Sequence, residues 1–373
     1  MNPEEIFCPN LDCVAKGQVN KGNIGIFSRQ QKRYECKECG ETFSATQGTI
    51  FYRLRKKPEQ VIMVLTLLVH GCPIKAIVAA FGFDQRTVED WWEKAGKHGE
   101  QVHEYKVGRS KLNLIQIQAD ELKAKIQGGV IWIAMAMMVP SRLWLGGEIS
   151  PKRDKALIRG LAKRVRAIAL CRPLLVSVDG LSSYVGAFYA AFRTKMPRNG
   201  QPGRAKLRPW PELNLVQVVK QRGQGQFSID RRIVLGCAEQ ITGLIKKSQG
   251  DGGINTAFIE RLNATFRQRL APLTRRTRAL AQQPQTLQAG IYFLGCVYNF
   301  CTYHHSLRIP LLLLHGRRRY LQRTPAIVAE LTDHLWSIEE LLWFKVPPDP
   351  WTPPKRRGRP SKLTLRLIER WSL

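Results

Sequence analysis

The sequence predicts a mixed α/β protein preceded by a small cysteine-bearing module and a short helical unit. Three observations carry that prediction. From about Lys111 to Leu314, short runs with period-two alternation are interleaved with runs of helical spacing, which is how strands and helices of one domain read. Four of the nine cysteines fall before residue 40. Between those cysteines and residue 100 lie three apolar stripes of helical period.

The 373 residues suffice for two or three domains, at roughly 100–200 residues each, with a core that needs no disulfide staples. Lys and Arg number 59 against 29 Asp and Glu, a net charge of +30, while 44% of residues are hydrophobic and 24% charged, which excludes general disorder. So large a positive charge repels itself, and a polyanion relieves it; nucleic acid is favoured over an anionic membrane surface. The longest apolar runs, Val61–Val69 and Val130–Pro140, are shorter than the ~18 residues that cross a bilayer, and Met1–Pro9 carries Glu4 and Glu5 without a hydrophobic signal core. A soluble intracellular protein with no membrane partner is expected.

The first segment, 1–52, holds Cys8 and Cys13 with four residues between them, then Cys36 and Cys39 with two between them and Gly40 following. Two such knuckles, converging across a small hairpin, predict a zinc ribbon in which four thiolates hold one structural Zn²⁺. The metal then supplies folding energy that so short a segment lacks. Odd cysteine number and clustering suit a reducing compartment better than disulfides. Cys72, Cys171, Cys237, Cys296 and Cys301 lie in apolar stretches and read as buried small hydrophobes.

The second segment, 53–100, offers Val61, Leu65 and Leu68, then Ile77 and Ala80, then Val88, Trp92 and Ala95, three stripes able to share one core. Asp84 is a good N-cap, after which Gln85, Arg86 and Thr87 occupy the first exposed turn of the third helix, where a recognition helix addresses base edges. The unit resembles a helix-turn-helix. An ordinary three-helix bundle is the alternative.

The third segment, 101–314, has strand-like stretches at Leu112–Ala119, Val130–Met138, Arg142–Ile149, Leu174–Val178 and Leu213–Gln221. Helix-like stretches are Lys152–Ala169, Ser182–Lys195, Ala238–Lys247 and Thr256–Leu270, and the Pro/Gly/basic loop Met196–Pro211 interrupts them. In Leu112–Asp120 the apolar Ile115, Ile117 and Ala119 alternate with Gln116, Gln118 and Asp120, which puts an acid at the strand end on the polar side. Leu174–Asp179 repeats the pattern, with Ser177 and Asp179 opposite Leu174, Val176 and Val178, and Gly180 follows at the turn. On the next helix, a buried stripe of Phe258, Leu262 and Phe266 leaves Glu260, Asn263 and Arg267 on the polar face. Three acids gathered on a basic protein repel one another unless divalent metal joins them. Two Mg²⁺ (or Mn²⁺) ions roughly 3.5–4 Å apart activate an attacking oxygen and stabilise a leaving one in phosphodiester chemistry. Asp230 and Glu239 are the rivals for the third acidic position.

Ala119-Asp120-Glu121, Ser177-Val178-Asp179-Gly180 and Asn255-Thr256-Ala257-Phe258-Ile259-Glu260-Arg261-Leu262-Asn263 resemble the three acidic motifs of insertion-sequence DDE transposases. Arg267-Gln268-Arg269 and Arg275-Arg276-Thr277 continue the third motif, and Tyr298-Asn299-Phe300 with His304-His305-Ser306-Leu307 resembles the stretch that closes such domains. With the cysteine and helical segments the similarity spans roughly residues 8 to 310 and is closest to the insertion-sequence-one type. It implies a ribonuclease H-like catalytic domain in which Asp120, Asp179 and Glu260 bind the metals. The first motif departs from the type, since Leu122-Lys123 follow Glu121 where a tryptophan commonly stands two residues on. The choice of Asp120 over Glu121 rests on strand parity.

The last segment, 315–373, reads as a helical extension and a basic tail that the prolines from Pro347 to Pro354 leave without a fixed fold. Within it Arg357-Gly358-Arg359-Pro360 resembles an AT-hook, whose glycine lets two arginines lie along a narrow minor groove. The resemblance as a whole implies a transposase that binds the terminal inverted repeats of its element and target DNA, cuts and joins strands, and works as a homodimer or larger assembly in the cytoplasm, on the nucleoid. Arg261, Arg267, Arg269, Arg275 and Arg276 are expected to hold phosphates near the site. A non-enzymatic DNA-binding regulator and a related nuclease are the alternatives.

Overall fold

The computed structural model describes residues 2–200, 202–223, 226–275, 280–281, 283–311, 319–353, 358 and 360–371. In chain order come β1 (Ile24–Ser28), β2 (Arg33–Cys36) and β3 (Thr42–Ser44), then α1 (Pro58–Val69), α2 (Ile74–Phe81) and α3 (Gln85–His103). There follow β4 (Gln116–Ile126), β5 (Gly129–Met138), β6 (Trp144–Ser150), α4 (Lys155–Ile168), β7 (Leu174–Asp179) and α5 (Ser182–Ala191). Next are β8 (Arg193–Lys195), β9 (Leu207–Pro209), β10 (Leu213–Gly223), β11 (Gln226–Leu235), α6 (Ala238–Gln249), α7 (Ala257–Arg269) and α8 (Pro284–Cys296). The last elements are β12 (Ile309–Leu311), β13 (Arg319–Leu321), α9 (Pro325–Val328), α10 (Ile338–Trp343) and α11 (Lys362–Trp371).

The chain forms two compact units, Met1–Gln60 with Leu342–Leu373, and Val61–Leu341. This grouping differs from the four serial segments read from the sequence, because both ends of the chain build one core and the helical unit is continuous with the α/β body.

In the first unit β1, β2 and β3 form an antiparallel sheet. Its core comprises Cys8, Cys13, Ala15, Ile24, Tyr34, Cys36 and Phe43, together with Trp371 from α11, and Trp351 and Leu367 pack against it. The end of the chain is thus anchored, where the prolines at 347–354 predicted a tail without fixed fold. The physical reason lies in α11 itself: Leu367 and Trp371, one turn apart, both pack on this core, and Trp371 is 1% exposed in a module with few large apolar residues of its own. Arg370 adds an ion pair to Glu38 at 3.3 Å.

The second unit is built on a six-stranded mixed sheet in the order β11-β10-β7-β4-β5-β6. β4, β7 and β10 are mutually parallel neighbours, whereas β5, β6 and β11 join antiparallel. β4 does not stop at Asp120 as its first half suggests. Leu122 and Ala124 continue the buried alternation while Lys123 and Lys125 are exposed, so the strand pairs with β5 as far as Ile126 opposite Gly129. Leu112 keeps only an isolated bridge to Ala169. The basic stretch after α5 likewise contains a small ribbon, β8 with β9. α4 lies on β5 and β6 beside α5, and α6 and α7 lie on β4.

α3 starts as expected, with the Asp84 carboxylate accepting the Thr87 amide at 3.2 Å, but it runs on to His103 and packs along α8. Its fourth turn has glycine where the helices touch: a Cβ on Gly96 would lie 2.3 Å from the Ala289 Cα. Gly295 on α8 similarly admits the Trp144 ring, to which an added Cβ would come within 2.0 Å. In the helical unit Val61, Leu65, Leu68, Ile77, Val88, Trp92 and Ala95 are buried, but Ala80 is exposed.

Of the remaining cysteines only Cys296 is buried; Cys72 and Cys301 are intermediate, and Cys171 and Cys237 are exposed. The last two sit in connections, before β7 and at the N-cap of α6, where local hydropathy does not report burial. No helix among the described residues is long and apolar enough to cross a membrane.

Gly96→Ala is expected to destabilise the second unit by about 1–3 kcal/mol, since the obstructing atoms include backbone, and chemical denaturation measures it. Trp371→Ala should cost the first unit about 3–5 kcal/mol and speed loss of metal from the four-cysteine cluster to a chelator. Unchanged metal retention would argue against the anchoring role of α11.

Candidate functional site

The first unit brings Cys8, Cys13, Cys36 and Cys39 together, with their sulfurs within 4.8 Å of one another. Cys8 Sγ lies 3.8 Å from Cys39 Sγ, and Cys13 Sγ lies 3.8 Å from Cys36 Sγ. The second knuckle closes through Gly40, left-handed at φ 70°, whose amide donates to the Cys36 carbonyl at 2.7 Å. Burial, with the neighbouring Cys36 sulfur, pushes the Cys13 thiol up to about 12, and burial also raises Cys8. Cys36 shifts the other way: backbone amides of Cys39 and Glu38, with thiol hydrogen bonds, outweigh its desolvation. Four sulfurs so placed suit one tetrahedral cation, which compensates thiolates that burial otherwise disfavours.

The second unit gathers acids at the centre of its sheet. Parallel pairing runs through Ala119 opposite Val178, so the next residues on the two strands are Asp120 and Asp179. One oxygen from each of Asp120, Glu121 and Asp179 lies within 4.8 Å of the others. Asp120 Oδ1 accepts the Glu121 amide at 2.8 Å, and Oδ2 accepts Asn263 Nδ2 at 2.8 Å. Asp179 Oδ1 accepts the Leu181 amide at 2.9 Å, which shapes the turn after β7. Arg153 Nη2 donates to Glu121 Oε2 at 2.9 Å and to Asp179 Oδ2 at 3.3 Å.

α7 brings the remaining acid. Its first turn is capped from the sheet: Gln118 Oε1 accepts the amides of Phe258 and Ile259, both at 3.0 Å, and Gln118 Nε2 donates to the Asn255 carbonyl at 2.8 Å. A glutamine two residues before Asp120 therefore sets where Glu260 stands. Glu260 Oε1 accepts the Thr256 hydroxyl at 2.7 Å and pairs with Lys220 from β10. Asp120, Asp179, Glu260 and Asn263 line one cleft of about 750 Å³, together with Arg153, Lys220, Arg267 and Arg275.

Ionised carboxylates at such spacing repel by about 3–4 kcal/mol per pair at an effective dielectric near 20. The protonation balance reflects it. Burial, followed by the charges of Asp179, Glu121 and Glu260, pushes Asp120 up to about 6. Burial and Asp179 raise Glu121 against the pull of Arg153. At Glu260 the penalty of partial burial is outweighed by Lys220 and Thr256, which hold the carboxyl below its usual range. Asn263 Oδ1 is buried with no hydrogen-bond partner among the described residues, and the buried Tyr184 hydroxyl lies against Glu121. Hard oxygens with unfilled acceptor capacity and excess negative charge fit divalent cations.

Of the acids singled out in the sequence, Asp120 and Asp179 meet directly, and Glu260 faces the same cleft from α7 without joining the set within 4.8 Å. The third member of that set is Glu121. Strand parity does turn it to the other face, where its side chain is 1% exposed, yet its longer chain reaches Arg153 beside Asp179. The rivals Asp230 and Glu239 are exposed on β11 and α6 and do not line the cleft. α7 buries Ile259, Leu262, Asn263 and Phe266, whereas Phe258 is half-buried and Asn263 lies inside rather than on the polar surface. Arg153 and Lys220 carried no sequence signal, because only tertiary pairing brings them to the acids, and for Gln118 strand alternation gave the face it shares with Asp120 but not its contact with α7.

Among the arginines, Arg267 and Arg275 line the cleft, Arg261 is exposed on α7, and Arg269 turns away toward Tyr298. Gln85 and Arg86 are exposed and Thr87 is half-buried in the first turn of α3. Gly358, left-handed at φ 97°, and Pro360 are exposed, while Arg276, Arg357 and Arg359 lie outside the described residues. No protein-family model matches this chain, and no curated protein matches its sequence.

Asp120 keeps its proton in the folded, metal-free protein up to about pH 6, whereas an unfolded aspartate loses it near 3.9. The folded state then binds more protons across that window, and stability falls as pH rises from about 4 to about 6. With chelator present, Asp120→Asn is expected to melt above the unsubstituted protein at pH 7.5, with the gap closing at pH 4. Equal melting at both pH values would contradict the crowding of Asp120.

Proposed function

We propose that this chain is a DDE-type DNA transposase whose second unit is a ribonuclease H-like catalytic domain. The observation that carries the reading is the cleft in which Asp120, Asp179 and Glu260 stand together inside a basic rim. Asp120 and Asp179 on adjacent parallel strands, with Glu260 on a following helix, form an oxygen-rich floor, and Arg267 and Arg275 are placed to meet phosphate.

Asp120, Glu121 and Asp179 would hold divalent ions on one side, and Glu260 would complete the shell from α7. Mg²⁺ bound there would activate the attacking oxygen and stabilise the leaving one. Asn263 fixes the Asp120 carboxylate, Thr256 and Lys220 fix Glu260, and Arg267 and Arg275 hold the phosphodiester in line for displacement. Water attacks at the element end, and the freed 3′-hydroxyl then attacks target DNA by the same displacement. No covalent enzyme intermediate is required.

The four cysteines are assigned one structural Zn²⁺. A tetrahedral zinc about 2.3 Å from each thiolate spaces the sulfurs about 3.8 Å apart, and the two closest pairs are at 3.8 Å. With α2 and α3 as a helix-turn-helix and the basic segment around Gly358 as a minor-groove arm, the protein has several places to hold element ends. Two ends brought together require at least two protomers.

Asp179→Asn is expected to abolish Mg²⁺-dependent cleavage of DNA carrying the element ends while leaving DNA binding intact. Strand-transfer products on a second plasmid separate a transposase from a nuclease, and full activity of the variant would overturn the reading.

A further inference from the structure

Between Lys155 and Pro211 the sequence holds twelve lysines and arginines and one acid, Asp179 of the cleft, whereas over the whole chain the balance is 59 to 29. The fold collects much of this charge on one side of the second unit. α4 buries Leu157, Ile158, Leu161, Ala162, Val165 and Ile168. At about 100° per residue the opposite arc carries Lys155, Arg159, Lys163 and Arg166, interspersed only with Ala156 and Ala167. The first three of these cations are exposed and Arg166 is half-buried. Arg166 lays its guanidinium over the Trp210 ring, with Cζ 4.0 Å from the centroid, which joins the stripe to the ribbon of β8 and β9. There the Trp210 amide donates to the Phe192 carbonyl at 2.9 Å, the Met196 amide donates to the Lys206 carbonyl at 2.8 Å, and Lys195, Lys206 and Arg208 are exposed.

The stripe is fixed relative to the acids. Arg153, two residues before α4, bridges Glu121 and Asp179, and α5 starts directly after Leu181, which lines the cleft. From there Tyr184, Phe188, Phe192 and Trp210 form a row of rings with successive centroids 6.2, 6.0 and 5.0 Å apart, so aromatic packing connects the cleft to the ribbon. Among the described residues none of the seven cations on α4 and the ribbon has a carboxylate partner, whereas Arg164, on the flank of α4, pairs with Glu104 and Glu148. Like charges at i and i+4 oppose the helix that carries them, so Lys155, Arg159 and Lys163 call for an external anion. They advance about 6 Å per step along α4, close to the roughly 6.8 Å that two phosphates of one strand cover along a duplex.

We propose that the exposed stripe of α4 and the β8–β9 ribbon form one docking track for the phosphate backbone of duplex DNA, and that the track leads the duplex past Arg153 to the acid cleft. Exposed lysines and arginines without counter-charge bind phosphates by displacing counterions and read no sequence, so the track positions the duplex and leaves the choice of site to other parts of the chain. Calling this duplex a substrate rests on the function proposed above; its binding along the track does not.

The test compares the full-length protein with three double variants: Arg159→Gln with Lys163→Gln on α4, Lys206→Gln with Arg208→Gln at the ribbon, and Lys246→Gln with Lys247→Gln at the end of α6 as a control for net charge. All six side chains are exposed, so the melting temperatures should stay close to that of the unsubstituted protein. In anisotropy titrations of a labelled duplex against NaCl, each track variant should weaken binding several-fold and lower the slope of log K against log salt by about 1.8, the loss of two phosphate contacts. The α6 variant should keep the slope. Unchanged slopes in both track variants would overturn the track and leave the stripe to an acidic protein, and an equal loss in the α6 variant would overturn it in favour of diffuse charge. A loss in only one of the two track variants would overturn their union in one surface. Slopes that fall as expected in a protein without Mg²⁺-dependent cleavage would refute the transposase reading alone, whereas cleavage with unaltered slopes would refute the track alone.

Discussion

Like-charge crowding is the constraint around which the second unit is arranged. Three carboxylates share a space within 4.8 Å, a fourth faces them, and water is partly excluded. Left alone the group would protonate or spread apart. What holds it is a set of compensations drawn from separate elements: Arg153 from before α4, Lys220 from β10, and amide groups at Glu121, Leu181 and Asn263. Each reduces the repulsion without removing it, as the raised Asp120 carboxyl records. A site with residual negative charge and unfilled oxygen acceptors is poised for small hard cations rather than for a closed ion-pair network.

Position in that site is set by buried polar contacts rather than by apolar packing alone. Gln116 and Gln118 occupy the strand face that an ordinary sheet fills with aliphatic side chains, and both are fully buried. Gln116 reaches Ser177 and Ser248, while Gln118 caps α7. Such groups are costly unless satisfied, so they tolerate only one register between the sheet and its helices. The placement of Glu260 relative to Asp120 follows from that register.

The first unit meets a different problem by a related route. A module with three short strands has too little apolar surface to stand alone, and it draws on two sources of cohesion. One is the meeting of four sulfurs, and the other is the indole of Trp371, delivered by a helix from the far end of the chain. The basic stretch between Trp351 and α11 is consequently bounded at both ends by residues packed on the same core.

Much of this was legible before folding was considered, because it depends on neighbours in the chain. Alternation in Leu174–Val178 and Val130–Met138, helical spacing in Ala238–Lys247, the Asp84 cap and the paired cysteines are local patterns, and they place strands, helices and ligand-bearing turns within a few residues. Local patterns also put acids at Asp120, Asp179 and Glu260. They misjudged what depends on distant partners. β4 continues past Asp120 because β5 pairs with it, α3 continues past residue 100 because α8 packs Ala289 and Phe293 against Gly96 and Gly99, and α11 is ordered because the cysteine module needs its tryptophan. Glu121 joins the acids through Arg153, and Arg269 leaves the cleft because helical rotation carries it to Tyr298. Residue types and their spacing in the chain determined which elements form and which chemistry they carry. Tertiary structure decided which charges face each other, since a carboxylate's partner is chosen by distance in space, and that distance does not exist until the sheet has closed.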